Sequence, residues 1–556
     1  MAMKLRKKEA SFGGGSIRRN NRSDFVANAG VITYMIMLGT RIPLSRMIGD
    51  AGIGLLAPAF ELYMMAVLLF TYGISRTMTG LIRYRVKRGQ FKNANKIFRT
   101  AVKLSLLLGL VFALLLAAFS SFLSETVFLE TMSGRAILAA APTVLLAVLV
   151  SVFRGFFSGC GYGPLVAYSQ YIEKILMLIA GMIGGKFYYE YGRKVAALLK
   201  NDMPAYAYGA FGVIIGIMIA ELITCIYLLA AYILSSGSWK RRQMQDSGRR
   251  TESGGEIMGM LFGSGVPMAL VILLSNSFMM IDQRFFNYCM NRREMGDVRT
   301  AIWGSYYGKY AVLTGISAAF VCLAVHGSIG KIVASYDKEE YRLMRDRIGI
   351  AVKKACITAF PAAVILAVLA ESIVTGLYKG ESEQAILTLR QGTIVVFFYG
   401  IAYLFCQLML KMRMVRELLF CLAAAFAVHI LAAVLFVQNG LLGAEGIVYS
   451  VILFTGVLAV LGFVLVSRRV SYKQEWIYSF AFPAASAAVS GLVIMLLNKV
   501  LFALVGAIPT LLISTLIGML LYIVLVILLR VVNESELSEM PMGGIWLTIG
   551  RLLGVL

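Results

Sequence analysis

The sequence predicts an all-α integral membrane protein of about fourteen transmembrane helices. Three observations predict it. Some 59% of the 556 residues are hydrophobic and only 15% are charged, against about 45–50% and about 25% in soluble domains. Apolar runs of about 20 residues, the length that crosses a bilayer, recur along the chain. Lys and Arg crowd into alternate connections between those runs. The longest weakly hydrophobic stretches, 236–256 and 335–347, are too short to bury a soluble core.

The runs fall in order at residues 25–42, 55–75, 100–122, 137–157, 165–185, 206–234 and 257–281, then 300–325, 350–370, 385–410, 418–437, 445–466, 476–497 and 504–529. The first is preceded by a basic segment, Lys4 to Arg22, with no small-residue cleavage site after a short core. An uncleaved first helix with its basic end in the cytoplasm is expected. Pro43 is expected to break the end of span one, and Gly159, Gly161, Gly163 and Pro164 to turn the chain between spans four and five. Pro267 and Pro361 fall inside spans and are expected to kink them.

With the N-terminus inside, the basic residues of 1–24, of the connection holding Arg83, Arg85, Lys87 and Arg88, and of the connection holding Lys240, Arg241 and Arg242 all face the cytoplasm. Both termini then lie there. This distribution also accounts for the net charge of +24 without nucleic acid. Seven cysteines, none in a Cys-x-x-Cys pair, and two histidines, His326 and His429, suggest no disulfide framework, zinc site or cofactor.

A shift of about 250 residues brings the basic connection after span two onto that after span eight, and Glu61 onto Lys309. The economical description is a basic N-terminus (1–24), a first six-helix lobe (25–235), a linker (236–256), a second six-helix lobe (257–467), two further helices (476–530) and a cytoplasmic tail (531–556). Parallel repeats of this kind are one plan of transporters, with substrate bound between the halves.

A charge at the centre of a span costs about 2.5–3.5 kcal/mol on insertion scales, so each needs a reason. The candidates are Arg41, Glu61, Glu173, Lys174, Glu221, Asp282, Arg284 and Lys309. Lys309 lies about 14 Å into its span at 1.5 Å per residue. If the halves face each other, the cations could hold a phosphate or pyrophosphate. Alternatively they neutralise each other, Glu61 with Lys309 or Asp282 with Arg284. Arg46 is expected to snorkel to the interface.

Two motifs are more specific. One is Thr40-Arg41-Ile42-Pro43-Leu44-Ser45-Arg46-Met47-Ile48-Gly49-Asp50-Ala51-Gly52. The other runs Phe153-Arg154-Gly155-Phe156-Phe157-Ser158-Gly159, then Pro164 and Ser169-Gln170-Tyr171-Ile172-Glu173-Lys174. With the tail around Met540-Pro541, they resemble the polysaccharide transporter branch of the MOP flippase superfamily, the group of stage V sporulation protein B and MurJ-type lipid II flippases. The resemblance covers nearly the whole chain. It implies two lobes around a central cavity, alternating access, and cargo made of an undecaprenyl-pyrophosphate-linked sugar, either lipid II or another glycolipid. It implies cavity cations on helices one, two and eight. Arg41 matches the first and Lys309 stands for the last. Glu61 occupies the region of the second, with Arg76 far below. The candidate cavity set is Arg41, Glu61, Arg154, Gln170, Glu173, Asn276, Asp282, Arg284 and Lys309. Coupling to H+, Na+ or the membrane potential, and a monomeric state, complete the expectation.

The nearest alternative is a cation-coupled drug or metabolite antiporter of the same superfamily, a class that usually has twelve spans. A membrane glycosyltransferase, polymerase or ligase would need acid and base groups on a sizeable external loop. The longest such loop expected, 186–205, offers Glu190 and Asp202 and no histidine. A membrane scaffold is the remaining class.

Overall fold

The computed structural model describes residues 26, 28–246, 251–378, 382–438, 443–534, 536, 543–552 and 554. The basic segment 1–24, Arg249 and Arg250 of the linker, and Met540-Pro541 of the tail lie outside the described residues. Every described element is a helix or a short connection. That follows from the bilayer, where backbone N–H and C=O groups must find partners inside one segment.

Twelve helices are long and apolar enough to cross a membrane, and counting the bent pair Glu383–Gly392 and Val395–Lys411 as one span adds another. The first of the twelve, Ala29–Lys87, has 59 residues. At 1.5 Å per residue that is about 88 Å, nearly three times a hydrocarbon core of about 30 Å. It is two helices, because Gly49 (φ 68°, ψ 176°) leaves the helical region and reverses the chain. Only glycine adopts that conformation readily. Among the described residues this gives fourteen spans. In order they are α1 (29–48), α2 (50–87), α3 (Phe91–Ala118), α4 (Thr131–Gly159), α5 (Gly163–Leu199), α6 (Met203–Met244), α7 (Gly254–Arg292) and α8 (Val298–Asp337). They continue with α9 (Tyr341–Val368), α10 (the bent pair), α11 (Val415–Val437), α12 (Ala444–Val470), α13 (Ile477–Val505) and α14 (Ala507–Leu528).

Several local expectations are corrected. Pro43 interrupts helical bonding only at Thr40; the chain reverses six residues later, at Gly49. Pro267 and Pro361 sit inside helices, as read from the sequence, and a 52° bend that the sequence did not point to lies in α10, between Gly392 and Val395. The expected loop 186–205 is mostly helix, since α5 runs to Leu199 and α6 starts at Met203.

Packing repeats with a shift of six helices. In the first half α2 packs on α3 and α4, α3 on α4, and α4 and α5 both on α6. In the second half α8 packs on α9 and α10, α9 on α10, and α10 and α11 both on α12. The α2–α3 and α8–α9 turns carry left-handed residues at Gly89 and Glu339, and the α4–α5 and α10–α11 turns at Gly161 and Arg413. The halves touch mainly where α1 and α2 cross the start of α8. A short helix, Ala370–Tyr378, packs against α14, and α13 against α9.

Candidate functional site

The crossing of α2 and α8 is backbone against backbone. A Cβ at Gly54 would overlap the Thr300 carbonyl oxygen, and a Cβ at Gly304 would overlap that of Asp50. Such small-residue crossings let membrane helices approach closely. Just beyond it, α8 widens into a π-helical turn, Tyr306–Tyr310. Wide turns of this kind recur at functional sites. This one aims Tyr307 and Lys309 into the seam between the halves.

Four charges meet there. The Arg41 guanidinium, on α1, donates to the Tyr307 hydroxyl at 2.7 Å and to the Tyr307 carbonyl at 3.3 Å. It lies 3.8 Å from Glu61 Oε1 of α2. The Tyr307 hydroxyl in turn donates to Glu61 at 2.6 Å. The same guanidinium stacks 3.8 Å from the Tyr307 ring centroid and 4.9 Å from that of Phe60. Lys309 Nζ donates to Asp50 Oδ2 at 2.7 Å and lies 5.7 Å from the Tyr378 ring centroid. Neither pairing considered from the sequence forms: Glu61 faces Arg41, and Lys309 faces Asp50. Each buried cation therefore has a carboxylate, which offsets the cost of desolvating it. The carboxylates are the more open partners, with side chains 17% and 25% exposed against 7% for each cation.

Arg154, Gln170 and Glu173 are placed within the first half, not on the seam. Arg154 Nη2 pairs with Glu173 Oε2 at 2.5 Å, and its Nε donates to Ser169 at 2.9 Å. Lys174 pairs with the other oxygen of Glu173. Tyr63 of α2 donates to Glu221 of α6, whose second oxygen is buried without a partner. Gln170 is half-buried beside them. These bonds tie α4 to α5 and α2 to α6.

The second half holds its own buried acid. Asp282 of α7 bonds His429 Nε2 of α11 at 2.8 Å, with both side chains fully buried. His429 Nδ1 lies 3.1 Å from the Ser450 carbonyl of α12. Arg284 is turned away from Asp282 and donates to the Val127 carbonyl at 3.0 Å and to that of Thr126. Asn276 bonds within its own helix, to the Ile272 carbonyl at 3.1 Å.

Arg284 belongs to a seal at the Gly49 end of the bundle. Asn287 donates to the Phe128 carbonyl at 2.7 Å, and Glu130 accepts from Arg299 at 3.0 Å and from Thr300 at 2.8 Å. The α3–α4 connection is thus tied to the second half at that end. Sequence reading missed Asp50, Tyr307, His429 and Glu130 as members of these clusters. Asp50 stood inside a quoted motif and His429 was noted only as one of two histidines; Tyr307 and Glu130 lay in a run or a connection where nothing local singles them out.

Comparison with known proteins places this architecture. The family described as Polysaccharide biosynthesis protein matches residues 25–325. Stage V sporulation protein B of Bacillus subtilis (strain 168) is 24% identical over 204 residues, which is 37% of this chain and 37% of that protein. Lipid II flippase MurJ of the same organism is 21% identical over 483 residues, 82% of this chain and 84% of that one. Among solved structures, a lipid II flippase MurJ in an inward closed conformation superposes with a TM-score of 0.61 at 14% identity, covering 91% of this chain and 98% of that one. An inward-facing multidrug resistance MATE family transporter of the MOP superfamily gives 0.59 at 17% identity, covering 79% and 94%. At these identities the structural likeness shows the fold. The family match runs from the N-terminal side of α1 through the π-turn of α8 and takes in more than half of the chain, so this chain belongs to the polysaccharide biosynthesis protein family.

Proposed function

We propose that this chain is a flippase that moves an undecaprenyl-pyrophosphate-linked oligosaccharide or peptidoglycan precursor across the cytoplasmic membrane of a bacterium by alternating access. The observation that carries it is the seam network: Arg41, Asp50 and Glu61 from one half meet Tyr307 and Lys309 from the other in one buried cluster. A relative named as a lipid II flippase supports the cargo class. The activity is transport, not catalysis.

In this reading both termini and the basic connections face the cytoplasm, and the Gly49 end faces outward. The seal made by Glu130, Arg284, Asn287 and Arg299 keeps that end shut, so the cargo is taken from the cytoplasmic side. Its sugar and pyrophosphate move between the halves while the polyprenyl tail stays in lipid. A pyrophosphate competes with Glu61 for the bidentate fork of Arg41 and with Asp50 for Lys309. Once the carboxylates are displaced, the ion pairs joining α1 and α2 to α8 are lost, and the Gly49 end can part. H+, Na+ or the membrane potential resets the protein; one charge crossing 100 mV is worth about 2.3 kcal/mol. A monomer suffices for this cycle.

One observation favours the second reading, a cation-coupled exporter of drugs or metabolites: the carboxylates are the more accessible half of each pair. The test is native mass spectrometry of lipids that co-purify with the wild-type protein and with the double variant R41Q/E61Q. The flippase reading expects a polyprenyl-pyrophosphate glycolipid on the wild type and its loss from the variant. Uptake of a cationic dye with no bound glycolipid would establish the second reading instead.

A further inference from the structure

The crossing of α2 and α8 relates the halves by a two-fold exchange of the same positions. A shift of about 250 residues carries Asp50 onto Thr300 and Gly54 onto Gly304. These four make the crossing: a Cβ on Gly54 would overlap the Thr300 carbonyl, and a Cβ on Gly304 that of Asp50. The same shift carries the end of α3 onto the end of α9. Phe119 (φ −100°, ψ 13°) and Leu369 (φ −94°, ψ 15°) leave their helices with nearly the same backbone angles. The α3–α4 connection and the short helix Ala370–Tyr378 are therefore equivalent pieces of the two halves.

The first piece is held by the other half through Arg299, at the start of α8, which donates to Glu130 at 3.0 Å. The second piece is held by the other half too, through Arg46 at the end of α1. Arg46 donates from Nη2 to the Gly376 carbonyl at 3.0 Å and from Nε to the Leu377 carbonyl. The last carbonyls of a helix lack partners within it and carry its partial negative charge. One guanidinium across two of them caps that end with a cation. Arg46 is exposed, yet it turns to the other half rather than to the membrane interface expected from the sequence.

The short helix also reaches the seam. Tyr378, its last residue, donates to the Gly308 carbonyl in the π-turn of α8 at 3.0 Å, and its ring centroid lies 5.7 Å from Lys309 Nζ. Near its start, Ser372 donates to Asn498 of α13 at 2.7 Å. One tyrosine thus joins the turn that carries Lys309 to the helix that Arg46 caps.

We propose that Arg46 and the helix Ala370–Tyr378 form a second latch on the Gly49 end, the counterpart of Arg299 with Glu130, and that this end opens only when both are released. Either latch alone still joins the halves on one side of the two-fold crossing. Loss of the Lys309–Asp50 pair frees the π-turn, and Tyr378 passes that change to the helix under Arg46. The inference rests on alternating access, the part of the transport reading that does not depend on the cargo.

The test is hydrogen–deuterium exchange on the purified full-length chain, comparing wild type, R46Q, E130Q, R46Q/E130Q and R46K, with a thermal melt to check folding. In R46Q the amides of Ala370–Tyr378 should exchange about tenfold to a hundredfold faster, as expected for loss of hydrogen bonds from a charged donor. E130Q should do the same to the α3–α4 connection. In each single variant the amides of Tyr306–Tyr310 should stay as protected as in the wild type, and only R46Q/E130Q should expose them. R46K, which keeps the charge at the helix end, should restore most of the protection lost in R46Q. Unchanged exchange of Ala370–Tyr378 in R46Q overturns the latch. Exposure of Tyr306–Tyr310 by R46Q alone, or no more exposure in the double variant than in either single one, overturns the requirement that both open. Protection lost evenly along the whole chain in R46Q makes Arg46 a folding contact and overturns the latch as well. None of these outcomes involves the cargo, so each leaves the flippase reading standing.

Discussion

At the residue scale, the seam cluster shows how a sequence can disclose a charge and hide its partner. Arg41, Glu61 and Lys309 stand out because each interrupts an apolar run. Their pairing does not, because Arg41 reaches Tyr307, 266 positions away, and Lys309 reaches Asp50, 259 positions away. No periodicity carries such information. Asp50 was quoted only as part of a motif; it is the first residue of α2 and points into the seam. Two outcomes follow for the buried pair. Arg41→Ala leaves Glu61 uncompensated and should cost about 3–5 kcal/mol of stability, whereas R41Q/E61Q, which removes both charges, should stay within about 1.5 kcal/mol of wild type. Thermal melting in detergent distinguishes them; equal losses would mean that the pair is not charge-coupled. Tyr307→Phe deletes the hydroxyl that bridges Arg41 and Glu61 and should cost about 1–3 kcal/mol, read in the same melt.

At the scale of elements, apolar runs located every span to within a few residues of its core, because bilayer thickness imposes length. What they could not locate were deviations within helices. The reversal at Gly49, the bend of α10 and the π-turn at Tyr306–Tyr310 are departures of backbone geometry, and hydropathy is blind to them. Prolines do not mark these three places: Pro58 and Pro142 sit inside helices. The glycine crossing makes a sharp expectation. Gly304→Ala places a methyl group against the Asp50 carbonyl and should cost about 1–3 kcal/mol in the sealed state. The clash is relieved when α2 and α8 part at that end, so the variant should favour the open form. Spin labels at positions 125 and 292 would report it as a longer distance. An unchanged distance distribution would show that the crossing does not move.

At the scale of the whole molecule, the six-helix shift seen in the packing agrees with the repeat suggested by the alternating basic connections. That much was legible because charge placement and span number both follow from membrane insertion. The division of labour among the charges was not. Arg154 and Glu173 were expected on a central cavity, yet they lock helices within the first half; Arg284 was one candidate partner for Asp282, which is held by His429 in the second. Each half thus has its own internal polar lock, and the seam has a separate one. This arrangement suits halves that move as units. Glu130→Gln removes the ion pair with Arg299 that helps to close the Gly49 end. It should raise the exchange rate of backbone amides in the α3–α4 connection while leaving α5 and α6 unchanged, as read by hydrogen–deuterium exchange; uniform protection in the connection would remove Glu130 from the seal.

The central claim is that the seam carries a pyrophosphate-linked glycolipid between leaflets. The most direct measurement reconstitutes the wild-type chain and R41Q/E61Q in liposomes holding a fluorescent undecaprenyl-pyrophosphate saccharide, and follows its appearance in the opposite leaflet with a membrane-impermeant quencher. Rapid transfer by the wild type, and transfer by the double variant no faster than in protein-free liposomes, is the expected result. Wild-type liposomes that transfer the lipid no faster than protein-free ones, under every imposed proton, sodium and voltage gradient, would contradict the account.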